Sequence, residues 1–146
     1  MNTSKDGIHT YIDKIYQHLE GYPIEILIAC ENIIHSLFEH NCQTISHLTF
    51  GRLFDWSKID DIDKFKKAVY ILVDARINVL EQQFEAYHNL KHRYEGVDSD
   101  FIHDVLVSEE YVHPFTHEEI TEQEFNDLII IYFSPTEEFK GKLHVK

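Results

Sequence analysis

Two histidine pairs have the spacing of metal ligands, His88-x3-His92 and His113-x3-His117. On one helical face or across a tight loop, each pair would present both imidazoles on the same side. Together they could give four nitrogens to a tetrahedral zinc. No cysteine lies near either pair, and a four-histidine set is not among the usual structural zinc sites. The expectation is therefore no bound metal and no cofactor; any metal would fall to His88, His92, His113 and His117. Carboxylate doublets recur at Asp60-Asp61, Glu109-Glu110, Glu118-Glu119 and Glu137-Glu138. General acid–base work needs one carboxyl desolvated and oriented, and doublets in polar text are solvated. Only Glu118 and Glu119, beside His113 and His117, mix two chemistries, which is a thin basis for a hydrolase. No serine sits in a Gly-x-Ser-x-Gly setting, and the five glycines form no phosphate loop. The sequence thus points away from an enzyme.

Charge is the strongest signal. Tyr94 to Phe139 holds thirteen acids and neither lysine nor arginine, so this 46-residue block carries the whole net charge of −13. The flanking residues balance. A one-sign field of that density repels nucleic acid and anionic membrane and favours a cationic partner. It also serves as a solubilising face. Met1 to Asp6 contains no charged-then-apolar leader. The apolar runs Ile24–Cys30 and Leu128–Phe133 are too short to span a bilayer. Cys30 and Cys42 fit reduced thiols, one of them a small core residue. A cytoplasmic bacterial protein without a membrane span is the expectation.

The elements that must position these groups follow from periodicity. Ile8, Ile12, Ile15, Tyr16 and Leu19 mark a first helix stopped by Gly21. Pro23 suits the first position of a second, carrying Ile26, Leu27, Cys30, Ile33, Ile34, Leu37 and Phe38 and ending near Asn41. Thr49 can cap a short third helix with Phe50, Leu53, Phe54 and Trp56, the aromatics closing the helical core. Ile62 to Val73 form a fourth. Beyond Ala75 two readings stay open: one helix running from Asp61 to about His92, or a helix stopping at Ala75-Arg76 followed by two short strands, Ile77 to Leu80 and Phe84 to Tyr87, or one bent one. Ser99 can cap a helix bearing Phe101, Ile102, Val105 and Leu106. Thr121-Glu122-Gln123-Glu124 fits a capping box. Leu128–Phe133 reads as a buried strand, and Ser134-Pro135 as the opening of a last helical turn through Phe139.

Helices at 24–40, 49–56 and 61–75, followed by Asn78-Val79-Leu80-Glu81-Gln82-Gln83-Phe84-Glu85-Ala86-Tyr87, resemble a winged helix-turn-helix domain over roughly Ile24 to His88. The resemblance implies the helix-then-strand reading. Tyr87-His88-Asn89-Leu90-Lys91-His92 and His113-Pro114-Phe115-Thr116-His117 resemble the knuckles of a zinc ribbon whose cysteines have been replaced. That implies a retained shape without metal. The fold class expected is α+β: a helical, winged-helix-like domain over 1–93 and a small acidic α/β appendage over 94–146.

A winged helix implies DNA binding, but Lys64, Lys66 and Lys67 are preceded by Asp60, Asp61 and Asp63. Phosphate neutralisation is the main source of DNA affinity, so direct DNA binding is disfavoured. The expected function is a non-catalytic interaction module that docks on a basic protein surface. Either an immunity or inhibitor protein, or an adaptor subunit of a bacterial conflict or phage-defence system, fits that description. A DNA-mimic inhibitor and a winged-helix regulator are the alternatives. The expected contact residues are Glu109, Glu110, Glu118, Glu119, Glu122 and Glu124, flanking a loop that offers Tyr111 and Phe115 as aromatic anchors.

Overall fold

The computed structural model describes residues 3–143. In chain order the elements are α1 (Thr3–His18), α2 (Ile24–Glu39), a 3-10 turn (Cys42–Thr44), α3 (Phe50–Ser57), α4 (Ile62–Val73), β1 (Leu80–His88), β2 (Arg93–Val97), α5 (Ser99–Ser108), α6 (Glu122–Leu128), β3 (Ile130–Pro135) and α7 (Glu137–Leu143). The class is α+β, with strands in the order β2-β1-β3. Contacts divide the chain into two compact units: residues 1–81 with 133–146, and residues 82–132. β1 and β3 each run from one unit into the other. The charge step at Tyr94 suggests a single boundary at 93/94. The observed division instead cuts within the two strands and makes the acidic unit an insertion.

In the first unit α2 is the central helix. Its stripe of Ile26, Leu27, Cys30, Ile33, Ile34 and Leu37 is buried, and it packs on α1, α3 and α4. Each such aliphatic side chain contributes roughly 1.5–3 kcal/mol of burial. Ala29 and Ala68 let α2 and α4 approach closely enough for the Cys30 thiol to donate to the Ala68 carbonyl at 3.4 Å. Both cysteines are free and buried. Burial pushes the Cys30 thiol up to about 12, which suits an inert core residue. Phe50, Phe54 and Phe65 close one end of this core edge to face, with Phe50 also 5.0 Å from Phe133. Trp56 packs against the core only in part and stacks on His40 at 5.0 Å.

The ambiguity after α4 resolves to helix then strand. Asp74 leaves the helix with ψ 135. Its carboxylate takes the Arg76 backbone N–H at 2.9 Å and the guanidinium at 3.0 and 3.1 Å. Those bonds hold the Asp74 carboxyl down to about 2. Asn78 then adopts φ +57, a left-handed conformation that asparagine tolerates, and the chain enters β1. Ile77, Val79 and Leu80, all of them 2% exposed or less, then join the first unit's core.

Two helix starts match their sequence signals. Thr49 Oγ1 accepts from Arg52 N–H, and Thr121 with Glu124 forms both bonds of the capping box. Four boundaries differ. Pro23 is the N-cap of α2 rather than its first residue. Asp98, not Ser99, caps α5, its carboxylate accepting from Asp100 N–H at 2.8 Å. An acid there meets both the orphan amides and the positive helix end. The β3 strand starts two residues later than the β-branched run, because α6 continues to Leu128 and Ile129 N–H still bonds Phe125. Ser134 and Pro135 complete that strand, and Thr136 opens α7, its hydroxyl accepting from Phe139 N–H at 3.1 Å. The β2 strand has no sequence counterpart; it is made by pairing, Phe84 to His88 opposite Val97 to Arg93.

Candidate functional site

The second unit contains every residue singled out for metal or partner binding. Its core is small: Ala86, Val97, Ile102, Val105 and Phe125, from β1, β2, α5 and α6. Around it the chain makes two tight turns, and the four histidines are their corners. In the first turn, between β1 and β2, His92 N–H donates to the His88 carbonyl at 2.8 Å and Lys91 N–H donates to His88 Nδ1 at 3.3 Å. In the second, His117 N–H donates to the His113 carbonyl at 2.9 Å. Phe115 and Thr116 N–H donate to His113 Nδ1 at 3.1 and 3.4 Å. His92 and His117 both sit left-handed, at φ +55 and +62. The two segments therefore fold on one plan. The first histidine accepts bonds from the loop backbone, and the last reverses the chain. Val112 and Glu119 bridge the base of the second turn.

The bonds of this plan are those of a turn. An Nδ1 that accepts backbone N–H carries no proton, so the ring proton of His88 and His113 is assigned to Nε2. Phe115 occupies the space beside both: its ring stacks on His88 at 4.7 Å and lies 5.8 Å edge-on from His113. His117 packs edge-on to Phe101. Among the described residues no group of three or more His, Cys, Asp or Glu is placed to hold a metal ion.

The aromatic anchors read from the sequence turn inward. Phe115 is half-buried in the stack just described, and Tyr111 packs on Phe125 at 5.5 Å as part of the unit's core. Burial raises the Tyr111 hydroxyl above its ordinary pKa, with Glu122 and Glu109 adding to the effect and Glu122 accepting its hydrogen bond. Of the acids, Glu122 and Glu124 serve the first turn of α6. Glu109 is the left-handed end of α5, at φ +60. The side chains of Glu109, Glu110, Glu118 and Glu119 are exposed and make no hydrogen bond or ion pair among the described residues.

Charge follows the division into units. Residues 82–132 hold twelve acids against Lys91 and Arg93, a net −10, leaving −3 for the rest of the chain. Glu95 engages both bases, at 3.2 and 3.0 Å. Apolar exposure in the unit lies partly where no sequence signal points to it. Leu90, at the tip of the first histidine turn, is 84% exposed; Leu106 and Val107, at the end of α5, are 54% and 70% exposed. Leu106 and Val107 precede Glu109 and Glu110 with Ser108 between. Their helical spacing alone cannot reveal that the face they occupy lacks a covering element.

The lysines of α4 are partly committed. Lys64 pairs with Glu25 at 2.8 Å, and Asp61 caps the helix by accepting from Asp63 and Lys64 N–H. Among the described residues no helix is long and apolar enough to cross a membrane. No family model, no curated protein and no solved structure matches the chain.

Proposed function

We propose that this chain is a non-catalytic interaction protein whose acidic unit, residues 82–132, docks on a basic surface of a protein partner. An immunity or inhibitor protein, or an adaptor subunit of a bacterial conflict or phage-defence assembly, is the role we assign. The single observation that carries the reading is the charge of the inserted unit, twelve acids against two bases that one acid already engages. A solubilising face needs neither that concentration nor its separation from a nearly balanced first unit. Exposed Leu106 and Val107 beside Glu109 and Glu110 supply the apolar centre that surface charge lacks. Tyr111 and Phe115 act from within, holding the loop that displays Glu118 and Glu119.

The test combines capture and charge reversal. The chain is used as bait in lysate of its native host, beside a variant with Glu109, Glu110, Glu118 and Glu119 changed to lysine. A partner captured by the first and not by the second, with circular dichroism unchanged, supports docking through this surface. A partner captured equally by both rejects it. The same acidic surface motivates a second reading, a mimic of nucleic acid that occupies a nucleic-acid enzyme. That reading requires the captured partner to be such an enzyme and to be displaced by duplex DNA.

A further inference from the structure

The first unit has a cavity of about 520 Å³ between the end of α1, the start of α2 and the end of α4. Its volume is within the range of small-molecule sites, roughly 300–1,000 Å³. The floor is apolar: Leu19, Ile26 and Ile77 lie there, each 5% exposed or less. Two aromatic side chains, Tyr22 and Tyr70, flank it at 45% and 42% exposure. Its walls hold two cationic side chains of a chain that is −13 overall, Lys67 and Arg76. The one carboxylate in the wall, Asp74, is neutralised by Arg76 in a two-point pair at 3.0 and 3.1 Å. Lys67, two turns before Asp74 on α4, makes no ion pair among the described residues. The wall also includes Tyr22, Pro23 and Ile26 at the start of α2, a sixteen-residue helix whose N-cap, Pro23, supplies no side-chain hydrogen bond. The acid of that first turn, Glu25, is not in the wall and pairs with Lys64 at 2.8 Å, which leaves Lys67 as the unpaired charge of the cavity.

We propose that this cavity binds a small organic anion with an apolar, preferably aromatic, body. The body fills the space over Leu19, Ile26 and Ile77 between Tyr22 and Tyr70. The anionic group meets Lys67. Arg76 stays with Asp74 and shapes the wall, so Lys67 is the residue that discriminates by charge. The site lies wholly within the first unit and does not depend on the acidic unit's docking.

Two fluorescent probes of nearly the same hydrocarbon body decide the matter, anilinonaphthalene sulfonate and the uncharged phenylnaphthylamine. Each is titrated against the full chain and against Lys67→Glu, a substitution at an exposed position. The sulfonate is expected to saturate at one per chain and to bind at least tenfold more weakly to Lys67→Glu. Phenylnaphthylamine is expected to bind both proteins alike, which reports that the cavity is intact in the variant. Sulfonate binding that does not saturate, or that Lys67→Glu leaves unchanged, overturns the proposal. So does equal affinity of the unaltered chain for the two probes.

Discussion

Tyr11 is the one described side chain with a buried polar atom and no hydrogen-bond partner. Its ring is well placed, edge-on to Phe139 at 4.9 Å, but its hydroxyl loses water and gains nothing. Removing an unsatisfied buried group of this kind is neutral or stabilising, so Tyr11→Phe should hold or raise the thermal midpoint. A fall of several degrees would show that the hydroxyl has a partner. Burial, and secondarily Glu138, raise its pKa to about 12. A folded pKa above the unfolded value of about 10 means stability is full below pH 10 and declines as pH rises toward 12. Tyr11→Phe should therefore unfold at higher pH than the parent in an alkaline titration. Caps are legible at this scale because their chemistry is local. Thr49 and Thr121 announce themselves, whereas the Asp98 cap beside Ser99 is a choice between neighbours that only the backbone settles.

At the scale of elements, the helices are legible from spacing and caps and β3 from its β-branched run, whereas β2 is not. Helical periodicity is internal to a segment, but β2 exists because Arg93–Val97 lies opposite Phe84–His88, and pairing leaves no mark on a five-residue stretch. The His-x3-His spacing is legible too. What the spacing could not reveal is that His88 and His113 use Nδ1 to accept backbone N–H. If those turns are held by such bonds and by the Phe115 stack, metal should not matter. Protein purified without a histidine tag should contain well under one zinc per chain, and a chelator should leave its thermal midpoint unmoved. One zinc per chain would make the four histidines structural ligands after all. His113→Ala should cost about 1–2 kcal/mol in denaturant unfolding, since it strands the Phe115 and Thr116 amides. An unaltered midpoint would mean that the stack alone holds the turn.

For the whole molecule, the charge of the block was legible and its placement was not. The sequence suggests an appendage after residue 93, yet the acidic unit is an insertion whose two ends leave through β1 and β3. The inward turn of Tyr111 and Phe115, and the exposure of Leu106 and Val107, depend on what covers each face, which no local pattern encodes. A net charge of −13, with Lys64 paired and Asp61 capping α4, should leave no affinity for mixed-sequence duplex DNA at physiological salt. Sub-micromolar, salt-sensitive binding in a mobility-shift titration would revive the regulator. The central claim concerns the acidic unit and is best tested by association kinetics with the captured partner. Complementary charge acts mainly on the rate of encounter, by 10-fold or more at low salt, and is screened within about 10 Å at 0.1 M. With Glu109, Glu110, Glu118 and Glu119 reversed to lysine, association should slow at least tenfold at low salt, and the two proteins should converge at high salt. Equal association rates at low salt, with the fold intact, would contradict the account and reduce the acidic unit to a solubilising surface.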